Sequence, residues 1–289
     1  MEDILRPLYQ ERASHKDTLG ILLIEKVVTN PKLTEDFDAI LFVITENDDQ
    51  KWTVKHYAFE NQKAALHIVS KQQLKDWFTY GSNRKAIEWV IRGKSIFDRN
   101  EFIENFKEDL RQFPDEDRKK KMGLEFAKLI KRQEEGKSLF QASQYLDSFN
   151  HIVHALHHLA RLAVIEKGFY PEITVWDQVK KMEPEFYKLY TELVDSKEPL
   201  EKRLELMLIA SEFSLSAKTK LGSRHLLEVM AEKDTPWTYS ELTNHNELKE
   251  YEVDLVVLLE HLIKKELLLV VEQETKGKAI YHRTYQSKK

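Results

Sequence analysis

The chain has no cysteine, so disulfides, thiolate metal sites and a cysteine nucleophile are excluded. Glycine and proline are scarce, at 8 and 7 of 289 residues, and tight turns are correspondingly few. Neither sign of charge dominates. The 45 basic and 49 acidic residues leave a net charge of -4, with no general pull toward nucleic acid or an anionic membrane. No apolar run is long enough to span a bilayer. The first residues, MEDILRPLYQERASHKD, are charged throughout and do not read as a signal peptide, so the expected location is the cytoplasm. G-x-S-x-G, Walker A and G-x-G-x-x-G signatures are all missing, which removes the serine-hydrolase elbow and the Gly-rich phosphate loops. What remains is a chain with 42% hydrophobic and 33% charged residues, expected to be globular, mostly helical and only partly sheet.

The pattern changes twice along the chain, which predicts an α+β part (1–114), a helical bundle (115–220) and a C-terminal part (221–289). In the first, TLGILLIEKVV and FDAILFVIT are continuous apolar runs, as buried strands are. KWTVKHYAFE alternates, with Trp52, Val54, His56 and Ala58 on one side, and AALHIVS is a fourth strand. The turn cluster NDDQ at 47–50 predicts a hairpin between the second and third strands. Helical patterns follow, two of them closed by glycine. The charge run DEDRKKKM at 115–122 reads as a solvated linker or a helix start. Beyond it lies one long periodic stretch, SLFQASQYLDSFNHIVHALHHLARLAVIEKG. Ala142, Leu146, Phe149, Val153, Leu156, Ala160 and Ala163 share one of its faces. The last part reads as three helices and a hairpin, the layout of a winged helix-turn-helix, with Thr238 and Glu241 as a capping box.

Asp36 and Asp38 stand one residue apart at the mouth of the second strand. Period-2 alternation puts both carboxylates on one side, where a pair of acids can grip a hard cation such as magnesium. A helix, an apolar strand, a loop, an acid-x-acid strand, two further strands and a helix, then a helical domain, resembles the nucleotidyltransferase superfamily. AIEWVIRGKSIFD looks like the helix and closing strand that end such domains. The three-part layout is similar to a nucleotidyltransferase-like family of Bacillus-type bacteria. The resemblance implies Asp36 and Asp38 as catalytic magnesium ligands, a nucleotide beside them, and transfer of a nucleotidyl group to a small-molecule or protein hydroxyl. The metals of such a site offset charge on the attacking and leaving oxygens of an in-line displacement. Two features depart from the pattern. Ile24, Glu25 and Lys26 stand where the family has its Gly-Ser turn, and AALHIVS offers His67 where the family has a third acid. Glu25, Lys26 and His67 are therefore the nucleotide-side candidates, with Glu25 as the stand-in acid. The alternative is a catalytically inactive descendant that keeps the fold to bind a nucleotide or other ligand, with the winged helix as a regulatory or protein-contact output.

NHIVHALHHLARLAVIEK carries four histidines. His154 and His158 are one helical turn apart, and His151 and Arg161 lie on the same side. One reading is a polar, solvated or packed face. The other is the wall of a substrate cleft formed by His151, His154, His158 and Arg161, with Glu166 or Glu172 as base. The partners implied are a nucleotide and a small-molecule acceptor, with a homodimer as the assembly to test; no membrane is expected. Duplex DNA is disfavoured, because the third helix of the C-terminal part begins with Glu250, Glu252 and Asp254. Residues 221–289 hold ten basic and twelve acidic residues, and Lys276, Lys278 and Arg283 of the wing compensate little.

Overall fold

Continuous runs of Leu, Ile and Val suit strands covered on both faces. Two such runs form β1 (Thr18–Glu25) and β2 (Ala39–Thr45), the second buried along its whole length. In the computed structural model they lie in a mixed five-stranded sheet with β3 (Thr53–Phe59), β4 (Gln62–Ser70) and β5 (Lys94–Asp98), in the order β3-β4-β2-β1-β5. The structure describes residues 1–27, 33–47, 52–113, 115–252, 254–277 and 279–288. Two compact units result, Met1–Pro114 and Asp115–Lys289. The fold is α+β and mostly helical, with the five-stranded sheet confined to the first unit.

The hairpin expected between the second and third strands is not formed. β3 pairs antiparallel with β4 through a tight turn, and β4 inserts parallel to β2, with Phe42 opposite His67. The half-buried alternation of β3 fits an edge strand, whereas β2 needs a partner on both sides. Asp48, Asp49 and Gln50 of the expected turn lie outside the described residues. α1 (Glu2–Ser14) covers one sheet face through Leu5, Leu8 and Tyr9, above Ile21, Leu41 and Leu66. The side chains of Ile40, Phe42 and His67 alternate with that set and belong to the other face. α2 (Lys71–Tyr80) and α3 (Arg84–Arg92) follow, capped by Ser70 and Asn83, and α4 (Phe102–Gln112) closes the unit.

In the second unit, α5 (Asp115–Gln141) packs along α6 (Tyr145–Glu166) and α9 (Leu200–Met230), with α7 (Val175–Met182) and α8 (Pro184–Asp195) against α6 and α9. The charge run is the start of α5, and its Lys120 and Lys121 are buried: Lys120 reaches Glu247 at 3.0 Å and Lys121 the Tyr170 hydroxyl at 3.1 Å. The long periodic stretch is two helices. A turn at Ala142–Gln144, with Ser143 in the left-handed region, lets α6 fold back on α5. The turn has neither glycine nor proline, so the apolar periodicity reads straight through it. As a result Leu146 is 78% exposed, and the buried face of α6 runs through Ile152, Leu156, Leu159 and Ala160.

α9 is one helix across the whole of Leu200–Met230, where the sequence suggests two. Its end leads into β6 (Trp237–Thr238), α10 (Tyr239–Asn244), a 3₁₀ turn at Lys249–Tyr251 and α11 (Asp254–Lys264). The hairpin β7 (Leu268–Glu274) and β8 (Tyr281–Ser287) completes a winged helix-turn-helix, and Thr238 and Glu241 form the expected capping box. Gly123 and Gly222 permit this packing. A Cβ on Gly123 would meet the Tyr251 hydroxyl, and one on Gly222 the Phe126 ring.

Candidate functional site

The acid pair does not sit as two neighbours on a strand. Asp36 is exposed in the turn that precedes β2, and Asp38 is half-buried in the bend immediately before Ala39, where the strand begins. There its carboxylate is already engaged. Oδ2 accepts the Lys63 backbone N–H at 2.9 Å, while the Asp38 N–H donates to the Lys63 carbonyl at 2.9 Å and its carbonyl accepts from Lys26. Asp38 therefore ties the start of β2 to β1 on one side and β4 on the other. Glu25 and Lys26 are exposed at the end of β1, with Glu25 3.7 Å from the amino terminus. Among the described residues no three of the His, Asp and Glu side chains are grouped as a metal site requires. The donors among the described residues do not fit a two-metal centre.

It is Phe37, between the two acids, that faces a cavity. This hollow of about 320 Å³ is lined by Thr34, Glu35, Phe37, Ile40, Trp52, His56, His67, Asn83, Lys85 and Trp89. Its walls are aromatic. Phe37 packs on His56 at 4.7 Å between ring centres, His67 on Trp89 at 4.7 Å, and Trp52 stacks on His67 at 5.8 Å. The backbone builds these walls from different elements: β4 supplies His67, α3 supplies Trp89, and Trp52 precedes β3. Trp89 is held by its indole N–H on the Leu33 carbonyl at 2.7 Å and by an edge contact with Phe42. Glu35 and Lys85 form an ion pair on the wall.

Three features set the cavity's chemistry. Burial, then His56 and Lys85, push His67 down to about 4, so it is neutral at physiological pH. The Trp52 indole donates to His67 Nδ1 at 3.2 Å, which assigns the ring proton to Nε2. The Thr34 hydroxyl, on a residue only 1% exposed, has no hydrogen-bond partner among the described residues.

In the second unit the histidine face of α6 meets α5 as a chain of ion pairs. His158 Nδ1 lies 2.7 Å from Glu125 Oε2 and Arg161 Nη1 3.4 Å from the same oxygen, with Glu125 5% exposed. About two turns away along α6, His151 is 2.9 Å and Arg132 3.4 Å from Glu135. His154 lies between the two groups and is exposed, its basicity lowered by partial burial, Arg132 and its neighbouring histidines. Glu166 is on the exposed end of α6 and pairs with Lys218, while the Glu172 N–H is held by Gln178 at 2.8 Å. Of the expected cleft residues, His158 and Arg161 converge on one carboxylate and His151 on another; Glu166 stands apart. At the acidic start of α11 Asp254 pairs with Lys131 of α5 at 3.0 Å, and farther along the helix Glu260 pairs with Arg283 of the wing at 2.9 Å. Lys278 lies outside the described residues.

Comparison with known proteins decides the ancestry. A Bacillus subtilis protein, YgxA, is 50% identical over 289 residues, covering 100% of this chain and 98% of its own. The chain belongs to the YgxA-like family. A crystal structure of a nucleotidyltransferase-like protein from Exiguobacterium sibiricum is 42% identical, covers 99% of both chains and superposes with a TM-score of 0.82. Three family models fall on this YgxA-like chain in order: nucleotidyltransferase-like on 1–118, YgxA-like substrate binding domain on 119–218, and a helix-turn-helix domain on 224–287. Among the described residues of this family member, no helix is long and apolar enough to cross a membrane.

Sequence reasoning reached His67 but not its companions. Trp52, Trp89, Phe37 and Thr34 are separated by up to 55 positions and only the parallel insertion of β4 gathers them. One signal was available: three of the five tryptophans fall within the first 114 residues.

Proposed function

We propose that this YgxA-like protein is a non-catalytic descendant of the nucleotidyltransferases that retains the fold to bind a ligand in its first unit. The single observation that carries this reading is the use made of Asp38: its carboxylate closes the sheet by accepting the Lys63 N–H. One Asp38 oxygen is spent on a backbone donor, its partner acid stands in an exposed turn, and no third acid joins them among the described residues, which supports the loss of a two-metal site. Glu25, the stand-in acid, is directed to the amino terminus. The winged helix serves as a packing or protein-contact module, because the end of α11 that would lead into a DNA groove is paired with α5.

Calorimetric titration of ATP with and without magnesium, into the wild type and an Asp36→Ala/Asp38→Ala variant, tests the reading. Nucleotide binding is expected to be indifferent to magnesium and to both acids, with no pyrophosphate released in the presence of candidate acceptors. Magnesium-dependent binding that disappears in the double variant would restore the transferase.

A further inference from the structure

Helix α9 is apolar on two opposite faces. One buries Leu204, Met207, Leu208, Ser211 and Leu215 in the bundle. On the other, Leu206 is 54%, Ile209 64% and Phe213 78% exposed. Spacings of three and four residues place these three side chains within about 60° of the helix circumference. Among the described residues no other helix exposes three large apolar side chains on one face. Helix propensity does not call for them, since Lys, Glu and Gln form helices as well as or better than Ile and Phe. Together they leave on the order of 350 Å² of apolar surface in water, a size at which patches on soluble chains are often functional.

We infer that this face is the interface with a second copy of the chain, in which α9 packs antiparallel on the partner's α9 about a two-fold axis between Ile209 and Ala210. Shape, charge and length select a copy in this orientation. The stripe is self-complementary about that point. Leu206 and Phe213 are equidistant from it, so Leu206 meets the partner's Phe213, and Ile209 comes over the small side chain of the partner's Ala210. A two-fold contact requires such a match of one patch with itself. Charge disfavours the parallel alternative. Lys202 and Lys220 are exposed at the two ends of the stripe, and parallel helices would set each against its own counterpart. In the antiparallel pair Lys220 comes instead to the partner's Glu198, just ahead of α9. Glu205 approaches the partner's Glu212, a carboxylate that Lys137 of the same chain already meets at 3.3 Å. Length is sufficient as well. From Lys202 to Lys220 the face runs about 27 Å. With its flanks it can bury roughly 600 Å² per copy, the lower edge for a specific interface, which suits a reversible dimer. The net charge of -4 opposes association little.

The test is sedimentation velocity on the full chain at concentrations from about 1 to about 200 µM, the range in which an interface of this size dissociates. The wild type is expected to shift from monomer to dimer across the series. Ile209→Glu and Phe213→Glu should each weaken association about thirtyfold or more, because each sets an unpaired charge in the centre of the contact. Both positions are exposed, so circular dichroism and the melting temperature at the lowest concentration should not change. The absence of cysteine gives an independent reading of orientation. Leu206→Cys and Phe213→Cys chains are oxidised separately and as an equal mixture. Antiparallel pairing predicts disulfide-linked dimers in the mixture and few in either chain alone, since the two copies of one position stand about 10 Å apart along the axis. A monomer throughout the concentration series overturns the inference and leaves the stripe to a different protein. A dimer untouched by both glutamate variants also overturns it, by placing the interface elsewhere. Cross-linking of each cysteine variant with itself as readily as in the mixture overturns the antiparallel pairing.

Discussion

The two polar constellations of this chain, the aromatic cavity of the first unit and the histidine face of the second, resolve the same problem in opposite ways. Both bring ionisable groups into partly buried positions. On α6 charges meet charges of the protein: Glu125 takes His158 and Arg161, and Glu135 takes His151 and Arg132, although the Arg161 Nε–H has no partner among the described residues. In the cavity the walls are rings, His67 is kept neutral, and the Thr34 hydroxyl has no partner among the described residues. A ligand entering the histidine face must displace an ion pair, whereas one entering the cavity meets ring faces. Density of chemistry-bearing residues is thus a poor guide to a site; what counts is which groups the fold has left unmatched.

The sharpest way to break this contrast is to remove the shared carboxylate. Glu125→Ala strands Arg161 and His158 in a mostly buried place, and should destabilise the second unit by about 3–5 kcal/mol. Urea unfolding followed at Trp176 and Trp237, with the three tryptophans of the first unit replaced by phenylalanine, reads that unit alone. An effect under about 1 kcal/mol would show the network to be ornamental.

Acid is the next lever, and it reaches both units. His67 and His261 are each pushed down to about 4, mainly by burial, and His261 lies against Thr219 at 3.1 Å and the Phe126 ring. A histidine depressed in the folded state takes up its proton more readily when unfolded. Stability is therefore full above about pH 6.5 and falls as pH drops toward 4, by up to on the order of 3 kcal/mol for each residue. His261→Gln should flatten this slope for the second unit only, as seen in melting temperatures collected from pH 7 to 4.5. An unchanged slope would mean that other groups control acid sensitivity.

Asp38→Ala removes the acceptor of the Lys63 N–H and should cost the first unit about 1 kcal/mol, while Asp36→Ala, in an exposed turn, should change stability by less than about 0.5 kcal/mol. Equal effects in chemical denaturation would contradict the unequal placement of the two acids. Smallest of all is Thr34→Val, expected to leave stability unchanged or slightly raised when no ligand is present, since an unpaired buried hydroxyl is removed. A clear loss would reveal a partner for it.

How much of this was legible beforehand follows the range of the interactions. Apolar runs gave β1 and β2, and the capping box at Thr238 and Glu241 was readable because both groups are three residues apart. The α5–α6 turn was invisible, since Ala142, Ser143 and Gln144 carry none of the usual breaking signals. Pairing of β3 with β4 could not be chosen over pairing with β2 by local pattern, because both alternatives bury the same side chains and only the parallel insertion separates them. The acid-x-acid spacing predicted two carboxylates on one side; a single turn at Asp36 turned Phe37 inward instead. His67 was recognised as standing where an acid is expected, yet the tryptophans that give it a role come from segments on either side of β4.

The unbroken course of α9 carries a consequence for inheritance. The matched models end at 218 and resume at 224, but the helix runs from Leu200 to Met230 without interruption. Thr219, Gly222 and His225, in or beside that gap, are bonded to or packed on His261, Phe126 and Tyr251. A gene fusion that exchanged the C-terminal module at this seam would cut a helix in mid-course and expose three matched surfaces at once. Exchange of the C-terminal module alone would have to rebuild the helix and these contacts together.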